Sequence, residues 1–316
     1  MSILGFDVGG TKISCCLGEA DGTIRNRIER STGTRIDSDR MTKALIGLGS
    51  EVLDVSDVDT PEAIGIIFAG LIDQGRGMVL KSPNIPGIHD FPVSSIISDF
   101  FQTGVYLEND ATAAAIAERL YGSGRGVDNF VYLTLSTGIG GGVFANGKLL
   151  RGQNGMGGEI GHMVVTDSPV VCGCGRKGCL EAVSSGSGIL KRTLERLKKF
   201  DGNTTLRNYS RGDLDARIIF EQAHLGDLLS SQIMEDTVRY LSIGLANVAM
   251  IFDPEIIVLG GGLMNNGDWF LRDLRERFER EMSGLRREVE LVRALPDGSD
   301  KAAISIPVYY GNVQNV

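Results

Sequence analysis

The chain has 316 residues, of which 42% are hydrophobic and 23% charged, so it has the composition of an ordinary globular protein long enough for two domains. Its net charge of −8 and pI of about 5.1 argue against nucleic-acid binding, which usually requires a basic surface. The N-terminus lacks the pattern of a signal peptide, and the longest uncharged apolar stretch, 241–252, is too short to span a bilayer. We therefore expect a cytoplasmic protein that binds neither nucleic acid nor membrane.

The first predicted elements are antiparallel strands joined by tight turns over residues 2–30. The turn after the strand Ile3–Val8 consists of Gly9, Gly10, Thr11 and Lys12. Its glycines expose consecutive backbone N–H groups, which together with a hydroxyl and a cation suit a phosphate, although the spacing differs from a Walker A loop. Asp7, at the end of the strand, is placed to hold Mg²⁺ through water. A plain glycine-rich hairpin turn is the alternative.

An amphipathic helix over 38–54 and a buried strand over 63–69 are predicted next, and the strand ends at Gly70. In the irregular loop 82–87, two prolines restrict the backbone around Asn84. Asn84 is therefore either an ordinary turn residue or a ligand contact.

A second helix is predicted over 93–101, and a strand over 105–107 leads into an alanine-rich helix over 111–121. Asn109 and Asp110 lie at this strand-to-helix junction. Asp110 is either the N-cap of the helix or a base at the carboxyl edge of a sheet, where α/β proteins bind ligands.

The strand 130–135 and the glycine-rich turn after it repeat the pattern of the N-terminus. Thr137 and Gly138 lie in this turn, and the chain returns as a strand over 143–145. The repetition suggests an internal duplication, in which two hairpins grip one polyphosphate from opposite sides.

A cluster of cysteines follows, and its glycine-rich spacing favours convergence of the side chains. It supplies one imidazole and three thiols, from His162, Cys172, Cys174 and Cys179. This is the ligand set of a closed, four-coordinate structural zinc site, which would also fix the flanking carboxylates Glu159 and Glu181. Unpaired core cysteines are one alternative, and a disulfide, which would leave one cysteine over, is another.

A strand over 255–259 ends in a third glycine turn. Gly261 and Gly262 in this turn either lie against a nucleotide base or ribose or form a plain strand-to-helix turn. The other predicted elements are helices over 189–197, 234–252 and 270–282, a loop over 200–213 and a poorly patterned apolar segment over 302–310.

Together and in this order, the motifs resemble the ROK family (repressor, open reading frame, kinase) of the sugar-kinase/actin/hsp70 superfamily. The resemblance runs from Gly5 to about Leu263 and comprises two phosphate loops at 7–12 and 135–142, an adenosine segment at 254–263, and a zinc signature at 159–162 and 172–181.

The resemblance implies an α/β fold of two actin-like (ribonuclease H-like) domains flanking an active-site cleft. The smaller domain would comprise 1–108, to which the C-terminal residues 301–316 are a candidate addition. The larger domain, 109–300, would carry the zinc motif. Since family members are usually dimers or tetramers, we expect a homodimer or homotetramer.

The resemblance also assigns roles to individual residues. Asp110 would be the general base, and the sugar contacts would be Gly70, Asn84, Asn109, Asp110, Glu159, His162 and Glu181. The nucleotide and its phosphates would contact Asp7, Gly9, Gly10, Thr11, Lys12, Thr137, Gly138, Gly261 and Gly262. The implied cofactors are ATP, Mg²⁺ and a structural Zn²⁺.

The implied activity is transfer of the γ-phosphoryl group of Mg-ATP to the 6-hydroxyl of a hexose, with glucose as first choice and N-acetylmannosamine as the alternative. Fructose, mannose, N-acetylglucosamine and allose stay open. A sugar-independent, actin-like ATPase would share the glycine loops but not the zinc cluster. A repressor is not favoured, because no helix-turn-helix motif precedes Asp7.

Three features depart from the family. The sequence 68–71 replaces a frequent Pro-Gly-Pro turn, Ile88 stands where glucokinases of the family often have an aromatic residue, and the C-terminal segment lacks the usual Gly/Ala-rich helix.

Overall fold

The computed structural model describes residues 1–33, 36–284, 288–296 and 298–313. The chain divides into two compact units. The first comprises Met1–Gly126, Arg151–Gly157 and Ala294–Val316, and the second Val127–Leu150 and Gly158–Arg293. The first unit thus extends beyond residue 108, where the sequence placed a domain boundary, and it includes the C-terminal segment.

Among its described residues, the N-terminal part of the first unit contains eight strands and three helices. In chain order these are β1 (Ser2–Val8), β2 (Lys12–Glu19), β3 (Ile24–Ser31), α1 (Ser38–Ser56), β4 (Ala63–Phe68), β5 (Leu71–Asp73), β6 (Met78–Lys81), β7 (His89–Phe91), α2 (Val93–Phe101), β8 (Val105–Glu108) and α3 (Asp110–Tyr121). The predicted helices over 38–54 and 93–101 are confirmed. The short strands β5–β7, which form a separate sheet, were not predicted.

The main sheet of the first unit has the order β3-β2-β1-β4-β8. β1 is antiparallel to β2 and parallel to β4, and β4 is parallel to β8. β1 and β4 are almost continuously apolar and buried, as expected for central strands covered on both faces. Helix α1 covers one face with Met41, Leu45, Leu48 and Val52, the stripe that its sequence period predicted.

The second unit contains five strands and five helices among the described residues. In chain order these are β9 (Phe130–Leu135), β10 (Ile139–Ala145), β11 (Lys148–Leu149), α4 (Leu180–Ser184), α5 (Gly186–Leu197), α6 (Ala216–His224), α7 (Leu228–Phe252), β12 (Ile256–Gly260), α8 (Asp268–Met282) and β13 (Glu290–Arg293). Residues 200–213, predicted as a loop, include one 3₁₀ turn at Thr205–Asn208.

The sheet of the second unit repeats the topology of the first. Its order is β11-β10-β9-β12-β13, with β9 antiparallel to β10 and parallel to β12. β12 is in turn parallel to β13, as β4 is to β8. The repetition supports the predicted duplication and confirms the actin-like α/β fold class.

Helix α9 (Gly298–Val313) completes the first unit. It packs through Ala302, Ala303 and Ile306 against Ala113 and Ala117 of α3. The sequence did not predict this helix, because residues 302–306 are buried on nearly every side and therefore show no amphipathic period. A C-terminal helix is thus present, although the sequence predicted that the Gly/Ala-rich helix usual in the family was lacking.

In the part of the chain that the structure describes, no helix has both the length and the apolar character needed to cross a membrane.

Candidate active site and metal centre

The turn after β1 is closed by backbone contacts and held by the strand beside it. The Gly9 N–H donates to the Lys12 carbonyl at 3.0 Å. From the other side, Thr32 donates its hydroxyl to the Gly9 carbonyl at 2.7 Å and its N–H to the Thr11 carbonyl at 2.9 Å. Lys12 itself forms an exposed ion pair with Glu29 at 3.0 Å, so its predicted phosphate contact would require it to leave this partner.

The loops after β4 and β6 carry the predicted sugar contacts Gly70 and Asn84. A Cβ on Gly10 would lie 2.8 Å from the Asn84 carbonyl oxygen, so the predicted phosphate turn and the Asn84 loop are in direct contact. Gly70 lies against the end of β6, where a Cβ would come within 2.4 Å of the Lys81 carbonyl oxygen.

Asn109 and Asp110 lie where β8 passes into α3. The side chain of Asn109, not that of Asp110, is the N-cap, because its Oδ1 accepts from the Thr112 N–H at 2.8 Å. The alternative interpretation of Asp110 as the cap is therefore wrong. Asp110 is the first residue of the helix, and its Oδ1 accepts from the Ala111 N–H at 2.9 Å.

Three carboxylates interact electrostatically in the first unit. Desolvation raises the pKa of Asp110, although its side chain is still accessible to solvent. Burial, with added repulsion from Asp110 and Asp300, raises the pKa of Asp7 to about 6. Asp300 lies on α9, and sequence reasoning missed it because nothing local indicates that α9 reaches the end of β1.

A buried network beneath this junction was also missed. The Glu108 side chain is only 2% exposed, and it accepts from the Asn109 N–H at 3.0 Å and from the Tyr310 hydroxyl at 2.8 Å. It also pairs with the Arg151 guanidinium, which stacks 5.2 Å from the Tyr310 ring centroid. Burial raises the pKa of Glu108 and the positive charge of Arg151 opposes this. The only sequence signal was an acidic residue at the end of a buried strand.

The turn between β9 and β10 is anchored by the start of α5. The Gly186 N–H donates to the Ser136 carbonyl at 2.7 Å. Ser187 donates both its hydroxyl and its N–H to the Thr137 carbonyl, at 2.5 and 3.2 Å. Gly138 closes the turn by accepting from the Ser136 N–H at 3.0 Å.

The predicted adenosine segment meets this same turn. Gly261 directly follows β12 and packs against the end of β9. A Cβ on Gly261 would lie 2.4 Å from the Leu135 carbonyl oxygen. A Cβ on Gly262, which begins a 3₁₀ turn, would lie 3.8 Å from the Ser136 hydroxyl oxygen. The structure thus brings Gly261 and Gly262 to the base of the second predicted phosphate turn.

The predicted zinc ligands converge in the second unit. One donor atom from each of His162, Cys172, Cys174 and Cys179 lies within 4.8 Å of the others. The Cys174 and Cys179 sulfurs are 3.8 Å apart, and the Cys172 sulfur is 3.5 Å from His162 Nδ1. Tetrahedral Zn²⁺ with Zn–S bonds of about 2.3 Å requires sulfur separations of about 3.8 Å, so the donor set fits this ion.

Backbone hydrogen bonds position the cysteines of this cluster without a metal. The Cys172 N–H donates to the Arg176 carbonyl at 2.8 Å, and Cys179 pairs with Val164 in a β-bridge. Burial raises the pKa of the Cys172 thiol to about 12, whereas an N–H from Arg176 lowers that of Cys174. No disulfide links the cysteines, all of which lie in the described ranges. A metal that binds here must therefore displace thiol protons.

Both flanking carboxylates reach the cluster. Glu159 lies 3.6 Å from Nε2 of His162, on the side of the ring away from the sulfurs. Glu181 lies 3.7 Å from the Cys172 sulfur and accepts from the Ile139 N–H at 3.0 Å. A carboxylate behind a metal-binding histidine is a common arrangement, because it orients the ring.

The predicted residues thus fall into two groups, each assembled within one unit. The first unit holds Asp7, Gly9, Gly10, Thr11, Lys12, Gly70, Asn84, Asn109 and Asp110, and the second holds Thr137, Gly138, Glu159, His162, Cys172, Cys174, Cys179, Glu181, Gly261 and Gly262.

Comparison with known proteins shows the family to which the chain belongs. The ROK family model matches residues 3–304. A glucokinase from Thermotoga maritima is 36% identical over 278 residues, which cover 88% of this chain and 87% of the relative. An N-acetylmannosamine kinase from Shigella flexneri is 34% identical over 263 residues, 83% of this chain and 84% of the relative.

Among solved structures, a ROK family glucokinase from Streptomyces griseus in complex with glucose and AMPPNP is similar with a TM-score of 0.81 and 29% identity. The match covers 98% of this chain and 99% of that one. The repeated sheet and its glycine turns define an actin-like α/β protein. The extent of the family match makes the assignment specific: the chain belongs to the ROK family.

Proposed function

We propose that this chain, a sugar kinase of the ROK family, transfers the γ-phosphoryl group of Mg-ATP to the 6-hydroxyl of a hexose, with glucose as the first candidate substrate. The observation that supports this most directly is Asp110. It is an accessible carboxylate of raised pKa at the carboxyl end of β8, in the same unit as the glycine turn after β1. Parallel α/β sheets bind ligands at this end of their strands.

Phosphoryl transfer requires positioning and charge neutralisation more than covalent help from the protein. In the proposal, backbone N–H groups of Gly10, Thr11, Thr137 and Gly138 bind the phosphates of ATP, and the Gly9 N–H closes its own turn by donating to Lys12. Asp7 would hold Mg²⁺ through water, and the ion would supply positive charge to the phosphates. Gly261 and Gly262 would contact the adenosine.

Asp110 would accept the proton of the attacking sugar hydroxyl. A positioned base contributes about 10²–10⁴-fold to such a reaction and works best when its pKa approaches the working pH. Asn109, whose side chain caps α3, holds the backbone beside Asp110 in place and would present its remaining amide donors to the sugar.

Further sugar contacts would come from Glu159, His162 and Glu181. The Cys/His donor set leaves no open coordination position, so a bound Zn²⁺ would be structural. A bound Zn²⁺ would hold the imidazole and the neighbouring carboxylates in position, because the groups that contact a ligand must be supported rigidly.

A second candidate substrate, N-acetylmannosamine, is favoured by the 34% identity to an N-acetylmannosamine kinase. The two sugars differ in configuration and substituent at carbon 2, and that pocket is not defined by the residues assigned here. A homodimer or homotetramer in the cytoplasm is part of the same proposal.

The test is ADP release from Mg-ATP with separate additions of glucose, N-acetylmannosamine, fructose, mannose, N-acetylglucosamine and allose. Release that depends on glucose is the expected result. ADP release that depends on N-acetylmannosamine instead would favour that sugar as the substrate. Release that is independent of any sugar would indicate an actin-like ATPase and overturn the proposed roles of Glu159, His162 and Glu181.

A further inference from the structure

Glu181 touches two features of the second unit at once. It is the second residue of α4, and its carboxylate has a separate neighbour for each oxygen. Oε1 lies 3.7 Å from the Cys172 sulfur, whereas Oε2 accepts a 3.0 Å hydrogen bond from the Ile139 N–H. One side chain therefore joins the Cys/His cluster to the first residue of β10.

The Ile139 N–H belongs to the peptide group that closes the second predicted phosphate turn. The other end of this peptide group is the Gly138 carbonyl, which accepts from the Ser136 N–H. With one end held by Ser136 and the other by Glu181, the plane of this peptide is fixed. The contact is close, because a Cβ on Gly138 would lie 2.7 Å from Glu181 Oε2.

The rest of the turn is held by the residues that follow Glu181. The Ser136 and Thr137 carbonyls accept from Gly186 and Ser187, which begin α5. The Ser136 and Thr137 carbonyls therefore face the start of α5, and the short segment 181–187 holds both ends of the turn. Holding the turn in place before a ligand arrives lowers the entropy cost of binding.

We infer that Glu181 is a positioning residue for nucleotide binding, in addition to the sugar contact proposed for it. Its carboxylate keeps the turn 136–139 in the shape that binds phosphate. The inference rests on the proposed function, since it takes this turn as a phosphate site. Glu181 would thus act in nucleotide binding as well as in sugar binding.

Two near-conservative substitutions at Glu181 distinguish the effect of its hydrogen bond to Ile139 from the effect of its charge. Glu181→Gln keeps an oxygen at the same reach, so it still accepts from Ile139. Glu181→Asp keeps the charge but is one methylene shorter and cannot make the contact. Glu159 provides the matched control pair, Glu159→Gln and Glu159→Asp, because its described contact is with His162 and not with the turn.

The experiment is calorimetric titration of the intact, metal-loaded protein and its four variants with Mg-ADP and Mg-AMPPNP. Glu181→Asp is expected to raise the Kd for both nucleotides by about 10-fold or more, which is the loss of one hydrogen bond to a charged acceptor. Glu181→Gln should stay within about threefold of wild type, as should both Glu159 variants. Wild-type Kd values for Glu181→Asp would overturn the inference.

A second readout uses the wild-type protein alone and so does not depend on how the variants fold. The Ile139 amide should exchange with solvent slowly, because its hydrogen is held by Glu181. Exchange at the rate of an unprotected amide would overturn the inference.

Sugar-dependent ADP release, measured in parallel, separates this inference from the proposed function. Normal turnover by the wild type together with wild-type nucleotide affinity in Glu181→Asp would refute only the inference. Selective loss of nucleotide affinity in Glu181→Asp, with no sugar phosphorylated by the wild type, would support the inference and refute the proposed substrate.

Discussion

The hydroxyl of Tyr310 donates a 2.8 Å hydrogen bond to the Glu108 carboxylate, which links the C-terminal helix to the strand that leads into Asp110. Glu108 is almost completely buried, and Arg151 supplies the compensating charge. The three side chains fix the end of β8, because the same carboxylate also accepts from the Asn109 N–H. The geometry of the proposed base therefore depends on residues distant in sequence.

Removing one member of this network should destabilise the protein by an amount that depends on what is left buried. Tyr310→Phe loses one hydrogen bond to a charged group, and we expect the free energy of unfolding to fall by about 1–3 kcal/mol. Arg151→Met leaves the buried carboxylate without its countercharge, which should cost about 3–5 kcal/mol. Denaturant unfolding monitored by circular dichroism measures both values.

Tyr106→Phe is the matched control, because its ring stacks on Tyr310 while its hydroxyl has no partner in the contacts described. It should change stability by less than about 0.5 kcal/mol. Equal effects of the Tyr106 and Tyr310 substitutions would show that the Glu108 hydrogen bond does not contribute.

Asp110→Asn should abolish most of the catalytic rate without preventing nucleotide binding. The amide cannot accept the sugar proton, so kcat should fall by about 10²–10⁴-fold. The Kd for Mg-AMPPNP should stay within about threefold of wild type. Asp59→Asn, an exposed carboxylate after α1, serves as a control that should keep wild-type kcat. Normal kcat in Asp110→Asn would remove Asp110 from the mechanism.

The pH dependence of the reaction should follow from the raised pKa of Asp110. The base works only when ionised, and desolvation of the carboxylate favours its protonated form. As pH falls, kcat/KM should therefore decline through a pKa higher than the ordinary value of about 3.9 for aspartate. A profile of kcat/KM between pH 8 and pH 4 measures this. A decline confined to the ordinary aspartate range would contradict the environment assigned to Asp110.

The purified protein should contain about one zinc per chain, held by the Cys/His cluster. Cys174→Ser removes an exposed ligand, so metal content by mass spectrometry should fall and the thermal midpoint should drop, because bound metal contributes directly to folding. Cys15→Ser, in the core of the first unit, should keep its zinc even where it lowers stability. Wild-type protein that is folded and active without zinc would refute the structural role.

The elements that sequence reasoning identified are those whose signal is local. The strand and glycine turn at Asp7–Lys12 and their repeat at 130–142 follow from alternation and turn chemistry, and the fold repeats them as predicted. The cysteine spacing similarly predicted the convergence with His162, because few other arrangements use three such thiols.

What could not be predicted depends on contacts between distant parts of the chain. Nothing near Glu108 in the sequence indicates Arg151 or Tyr310. Helix α9 has no period to detect, because it is buried on most sides. The cap of α3 is Asn109, whereas sequence reasoning considered Asp110, because adjacent Asn and Asp residues have about the same N-cap propensity. The contact between Glu181 and Ile139 could not be predicted from the sequence either, because both residues have other plausible roles.

The proposed reaction is phosphorylation of a hexose by Mg-ATP. The most direct measurement is ADP release from Mg-ATP in the presence and absence of glucose, with phosphorus NMR of the sugar product. We expect ADP release that requires the sugar, and a single phosphomonoester on oxygen 6 of the product. ADP release at the same rate with and without any hexose of the panel, and no sugar phosphate, would contradict it.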